Sequence, residues 1–310
     1  MRPIAHVCPA GGYPSASFSN AAPLDLVNLS SLMKLTSGRT ATTIGLIDGP
    51  VVTDHADLAG TNIREIPGRL AGSCARATSI ACMHGTFVAG ILSARRGSSA
   101  PAICPGCTLL VRPIFTETPF GNTAIPSATP LELATAIVDC VDAGAHIVNL
   151  SAAITQPSSK GERALEQALD YSAKRGVVVV AAAGNQGTIG SSAITRHPWV
   201  IPVVASDLHG RPIGYSNFGN SIGRRGLCAP GHGITSLGTN GQAFIFGGTS
   251  AAAPFVTGTI ALLQSIFPKA TASTVKLAVT KRRTARRVTI VPSLLDAWSA
   301  YQQLANTGLN

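Results

Sequence analysis

The residue that could do chemistry in this chain is Ser250, set in Gly247–Gly248–Thr249–Ser250–Ala251–Ala252–Ala253–Pro254. Small residues crowd both sides of one hydroxyl. The run FVTGTIALLQSIF follows, apolar on all sides, and predicts a core helix of about four turns. Ser250 then falls in the first turn, at the positive end of the helix dipole and beside unpaired backbone N–H groups. Pro254 fits near a helix start, and the two glycines allow backbone or substrate to approach closely. Such a serine is either a nucleophile or the cap of a core helix. A nucleophile needs a base to take its proton, which directs attention to the histidines and carboxylates.

Three other stretches supply candidates. Thr43 to Ile47 is a short apolar run that predicts a buried strand, closed by Asp48. CMHGTFVAGILSA places His84 at the start of a second small-residue helix. GVVVVAAAGNQG predicts a buried strand ending in Gly184–Asn185. The chain continues to alternate apolar strands, as in AHIVNLS and WVIPVVAS, with helices, as in ELATAIVDCVDAG and ERALEQALDYSAKRG. Fully apolar strands in such an alternation predict an α/β fold of three layers, a mainly parallel central sheet with helices on both faces. Active groups gather at the carboxyl ends of such strands, where Asp48, Ser151 and Asn185 fall.

The order Asp48, His84, Ser250 is that of subtilisin. The DG after the first strand, the HGT opening a helix, the AAGN and the GTSxAxP together resemble the subtilisin-like serine proteases, from about Thr43 to Phe267. Within that family, IDGPV, PGCTLLVRPIF, ELATAIVDCVDAGAHIVNLS and YSNFGN–CAPG are similar to the cyanobactin maturation proteases, which process ribosomally made precursor peptides. The resemblance implies a serine endopeptidase removing a leader or follower from such a peptide. In that reading His84 is the base, oriented by Asp48, and Ser250 is the nucleophile. The Asn185 amide and the Ser250 backbone N–H stabilise the oxyanion. A strand beginning at Ser151 pairs with extended substrate, giving Ser151, Ala152, Ala153 and Gly184 as substrate-binding residues. Ala152–Ala153–Ile154 replace the usual Leu–Gly–Gly and narrow the pocket wall, whose floor falls within Thr188–Arg196. Phe87 stands where the family often has a second histidine. The other readings are a peptide macrocyclase, a general degradative protease and a non-catalytic peptide binder. The interval of 36 positions from Asp48 to His84 leaves little room for the helical lid of the macrocyclising relatives, and the complete Asp–His–Ser set argues against a mere binder.

Residues 1–38 are expected to form an arm and one short helix ending at Gly38, packed on a single peptidase domain over 39–310. Only 47 residues precede Asp48, too few for a signal and a folding prodomain. The start lacks a basic segment followed by an apolar core, and no apolar run approaches a membrane span, so a cytoplasmic enzyme without membrane contact is expected. The net charge of +10, drawn partly from Lys281, Arg282, Arg283, Arg286 and Arg287, fits an acidic peptide partner or a solvated basic edge. No zinc-finger, helix-turn-helix or aromatic RNA-binding pattern points to nucleic acid. No metal or other cofactor is expected. Cys104 and Cys107 have CxxC spacing without a second pair to complete a zinc site, and Cys74 and Cys82 are either free thiols, the default in cytoplasm, or a disulfide. Asp57 matches a calcium ligand of secreted relatives, but Arg95 and Arg96 replace the expected oxygen donors.

Overall fold

A computed structural model of the chain describes residues 4–5, 21–117, 127–151, 153–154, 162–281 and 289–308. The strands are β1 (Ile4–Ala5), β2 (Thr43–Asp48), β3 (Asn62–Glu65), β4 (Thr108–Pro113), β5 (Ser127–Ala128), β6 (Ile147–Leu150), β7 (Ala153–Ile154), β8 (Val178–Ala182), β9 (Val200–Ser206), β10 (Leu227–Pro230), β11 (Ile234–Leu237), β12 (Ala243–Phe246) and β13 (Ser293–Leu294). The helices are α1 (Ala21–Leu26), α2 (Leu29–Leu35), α3 (Ile80–Ser93), α4 (Pro130–Asp142), α5 (Arg163–Lys174), α6 (Ala193–Arg196), α7 (Asn220–Arg225), α8 (Thr249–Ile266), α9 (Ala272–Thr280) and α10 (Ala297–Ala305).

Eight strands form one parallel sheet in the order β13-β10-β9-β8-β6-β2-β4-β3. Side chains alternate across it with period two. Ile44, Leu46, Val178, Val180, Ile201 and Val203 join one core with Phe87 of α3 and Phe255 of α8. Ile47, Val148, Leu150, Val179 and Ala181 join the other with Leu133 and Ile137 of α4 and Leu165 and Leu169 of α5. Both faces are therefore covered, as the apolar strands require. Helix α8 lies within the first core, with every residue from Thr249 to Leu263 buried. Its 18 residues and mean hydropathy of 1.2 match a membrane span in length and composition, contrary to the sequence expectation, but 89% of that stretch is buried in the fold.

Several local expectations are corrected. The single amphipathic helix before Gly38 is two, α1 and α2, because Asn28 adopts a left-handed conformation (φ 54°) between them. Helix α4 starts at Pro130, held by a capping box in which Thr129 and Glu132 satisfy each other's backbone N–H groups. The last strand is Ser293–Leu294, pairing with Leu227 and Cys228, rather than the preceding VTIVP. The antiparallel hairpin β11–β12 was not foreseen. Nor was β1, which falls in the segment read as an irregular arm. Cys74 and Cys82 are joined as a disulfide (Cα–Cα 5.8 Å), because Cys74 follows the bridge between Val51 and Ser73 and so faces the first turn of α3. This departs from the default of reduced thiols.

Candidate active site

Asp48 ends β2 at 0% exposure. Its Oδ1 accepts the Gly49 N–H at 2.7 Å and faces His84 Nδ1, also at 2.7 Å. His84 lies in the second turn of α3, one turn deeper than its motif suggests, and is 3% exposed. The helix can come this close because Gly85 has no side chain: a Cβ there would meet the Gly49 and Pro50 carbonyl oxygens at 2.4 Å. With Nδ1–H donated to the carboxylate, Nε2 is left as an acceptor. It stands 3.0 Å from Ser250 Oγ. The structure thus brings Asp48, His84 and Ser250 into one hydrogen-bonded chain from segments far apart in sequence.

Ser250 is the second residue of α8, so its N–H has no partner four residues back within the helix. Gly248 caps the helix at φ +114°, and a Cβ there would press on the Asn185 amide nitrogen at 2.8 Å. Asn185 follows β8. Its Oδ1 accepts the Thr249 N–H at 2.9 Å. Gly184 donates its N–H to Thr249 Oγ1 at 3.1 Å. Two bonds therefore lock the end of β8 to the first turn of α8.

Ser151, after β6, is also at this edge, and here the structure adds residues that sequence reading missed. Pro254 is the sixth residue of α8, inside the helix rather than at its start, and has no N–H for the Ser250 carbonyl. The Ser151 hydroxyl donates to that carbonyl instead, at 3.3 Å. Asn149 Nδ2 donates to Ser151 Oγ at 2.8 Å, and Thr257 Oγ1 donates to Asn149 Oδ1 at 2.7 Å. Asn149 and Thr257 are both fully buried. The one available signal was a polar residue inside each of two apolar runs, IVNL and FVTGTI. Behind His84, the Phe246 ring of β12 packs edge-on at 5.4 Å, and Phe87 packs on Phe244 and Phe246.

Of the substrate-wall residues, Ala153 begins β7, while Ala152 lies outside the described residues. Lys281 is exposed; Arg282, Arg283, Arg286 and Arg287 lie outside the described residues. Asp57 is paired with Arg95, whose Nη2 is 2.9 Å from Oδ1. Cys104 and Cys107 are buried thiols bonded to each other: that hydrogen bond and burial push Cys104 well up, and the same bond holds Cys107 down. Among the described residues, Cys74, Cys82 and Glu117 form the one grouping with metal-ligand proximity. Its two sulfurs are bonded to each other, and Glu117 accepts the Ala75 and Arg76 N–H groups.

A buried Asp–His–Ser relay at the carboxyl edge of a parallel sheet defines the site of a serine hydrolase. The chain belongs to the subtilase family, peptidase S8, whose model matches residues 39–296. It is 30% identical to subtilisin DY of Bacillus licheniformis over 75% of this chain and 80% of that protein. Among solved structures it is similar to the prenylagaramide maturation protease PagA (28% identity, TM-score 0.77, 89% of this chain and 98% of that one). It is equally similar to a serine-to-alanine mutant of the protease domain of PatA (30% identity, TM-score 0.79, 88% and 98%). The chain spans about half the length of other curated subtilases it matches, 52% and 42% in two cases.

Proposed function

We propose that this chain is a serine endopeptidase that cuts a ribosomally made precursor peptide. The observation that carries the proteolytic part is the relay from Asp48 through His84 to Ser250. Ser250 Oγ attacks the scissile carbonyl carbon as His84 Nε2 takes its proton, and Asp48 stabilises the imidazolium. The oxyanion is met by the Ser250 N–H and the Asn185 amide. His84 then protonates the leaving amine, the C–N bond breaks, and water releases the acyl group by the reverse sequence. The relay needs no metal ion, and Asp57 is engaged by Arg95 rather than offered to calcium.

The substrate class is supported by likeness to the PagA and PatA maturation proteases over nearly their whole solved length. The net charge of +10 favours an acidic peptide. Ser250→Ala tests the chemistry. It is expected to abolish labelling by a fluorophosphonate probe and to lower peptide cleavage on the order of 10^6-fold, a figure that belongs to subtilisin. The circular dichroism spectrum should not change. Normal labelling or turnover in that variant would overturn the assignment.

A further inference from the structure

Away from the relay, two cations are held against one short stretch of backbone. Arg225, the last residue of α7, donates from Nη2 to the Arg196 carbonyl at 2.6 Å and to the Thr195 carbonyl at 3.3 Å. Lys276 of α9 donates to the Pro198 carbonyl at 2.7 Å, its Nζ 4.8 Å from the centre of the Trp199 ring. The two head groups therefore share the stretch 195–199, which joins α6 to β9. Their acceptors are neutral carbonyls, so neither charge is cancelled. Among the described residues, neither Arg225 nor Lys276 is paired with a carboxylate. Arg225 Nε is buried without a hydrogen-bond partner, and the neighbouring Arg224 is exposed. The carboxylate that reaches this stretch, Asp170, is engaged by His197 Nε2 at 3.1 Å. Burial, with the Arg225 charge beside it, lowers Lys276 to about 8. Like charges crowded in this way disfavour each other, and an arriving anion relieves the repulsion.

We propose that Arg224, Arg225 and Lys276 form a docking surface for an acidic segment of the substrate peptide, separate from the site where the bond is cut. The identity of the peptide rests on the precursor-processing reading above. The surface lies at the amino end of the sheet, since Val200 opens β9 directly after Trp199. At the other end of that strand, Ser206 accepts the Gly231 N–H, and the Gly231 carbonyl accepts the N–H of Gly248, two residues before Ser250. The seven residues of β9 thus set the cluster some ~20 Å from the catalytic edge. A peptide touching both places needs roughly six or more extended residues between them. Its acidic segment and its cleaved bond are therefore well apart in sequence. Engagement of one then raises the effective concentration of the other. The Trp199 ring lies under Lys276 and is not offered to a base for stacking, which favours carboxylates over single-stranded nucleic acid.

The test uses the full chain and a fluorescein-labelled decaglutamate, read by anisotropy. Wild type is expected to bind it, and to bind it less well as salt is raised. Replacing Arg224 and Lys276 together by glutamine should weaken binding about tenfold, as expected for two charge contacts. Lys276→Arg, which keeps the charge, should restore most of the loss when Arg224 is present. Replacing Lys281, Arg282, Arg283, Arg286 and Arg287 by glutamine is the control, and should change the Kd by no more than about twofold if those charges are remote and screened. A footprint locates the contact: acetylation of Lys276 by acetic anhydride should slow when decaglutamate is present, while that of Lys34 on α2 does not. No binding by wild type, full binding by the Arg224 and Lys276 double variant, or loss confined to the five-residue control overturns the proposal. Tighter binding of a labelled decathymidylate than of decaglutamate overturns it in favour of nucleic acid. All of these readouts are independent of turnover. A wild-type chain that binds decaglutamate at this surface but does not react with fluorophosphonate would sink the endopeptidase reading and leave the docking surface standing.

Discussion

Helix α8 carries a buried polar cluster at each end, and only one of them is built for chemistry. At the carboxyl end, Ser265 Oγ donates to the Ala261 carbonyl at 2.7 Å. It also meets Thr42 Oγ1 at 2.9 Å and accepts the Arg39 N–H at 3.2 Å. Cys107 Sγ lies 3.9 Å away. Ser265 has used its one proton and both lone pairs, so the cluster is closed. At the amino end, Ser250 Oγ meets a histidine ring nitrogen able to take its proton, and its own N–H is left unpaired by the helix geometry. Burial and hydroxyl content are similar at the two ends. What separates them is an acceptor that is also a base, together with a helix terminus whose donors point outward.

That contrast breaks first at Asn185. Replacing it with alanine removes the side-chain donor assigned to the oxyanion and also the acceptor of the Thr249 N–H. The expected result is a kcat lower by about 100–1,000-fold with KM little changed, the range known for the same asparagine in subtilisin. Steady-state kinetics on one peptide decide it. A purely raised KM would show that Asn185 binds ground-state substrate instead.

The second break is at Asn149, which links helix and strand without touching substrate. Asn149→Ala leaves the Thr257 hydroxyl without its acceptor and Ser151 without its donor. Unpaired buried groups of this kind cost about 1–3 kcal/mol, measurable by urea unfolding. Ser151 then no longer holds the Ser250 carbonyl in a fixed place. A fall in kcat of roughly tenfold is expected, since small displacements of a catalytic group are costly. Loss of stability with full kcat would confine Asn149 to a structural role.

What could be read without coordinates follows the same divide. Asp48, His84, Asn185 and Ser250 each stand at a junction of apolar or small-residue runs with one polar residue, so local pattern marked them as candidates, and the resemblance to a known family joined them into one site. Helix α8 was legible because its apolar run is long, and strands β2, β6, β8 and β9 because each is a short, mostly apolar run between helical patterns. Asn149 and Thr257 were not, since each is satisfied by the other across 108 positions of chain. Strand β1 carries no local signal: two residues gain their partners from positions more than a hundred residues away. The break at Asn28 depends on one left-handed residue in an otherwise helical pattern. The aromatic wall behind His84 comes from a hairpin whose strands are four residues each, too short for periodicity to declare.

The smallest effect on activity is expected at the closed end of α8. Ser265→Ala removes the acceptor of the part-buried Arg39 N–H and the partner of the buried Thr42 Oγ1. The alanine also frees the Ala261 carbonyl from the extra hydroxyl, a back-bond that gives a helix little. The balance is a loss of stability of about 1–3 kcal/mol, comparable with that at Asn149. Ser265 lies fifteen residues along α8 from Ser250, or about four turns at the helical repeat, some ~22 Å by rise per residue. Among the described residues, no hydrogen bond of its cluster continues to the relay. Sites so far apart without shared partners act independently. kcat/KM should therefore match wild type at a temperature where both variants are folded. Equal losses of stability at Ser265 and Asn149, with kcat lowered only at Asn149, would show that the amino end is tuned for position and the carboxyl end for cohesion. A matching fall in kcat at Ser265 would mean instead that α8 transmits strain along its length, and that the two ends are one unit.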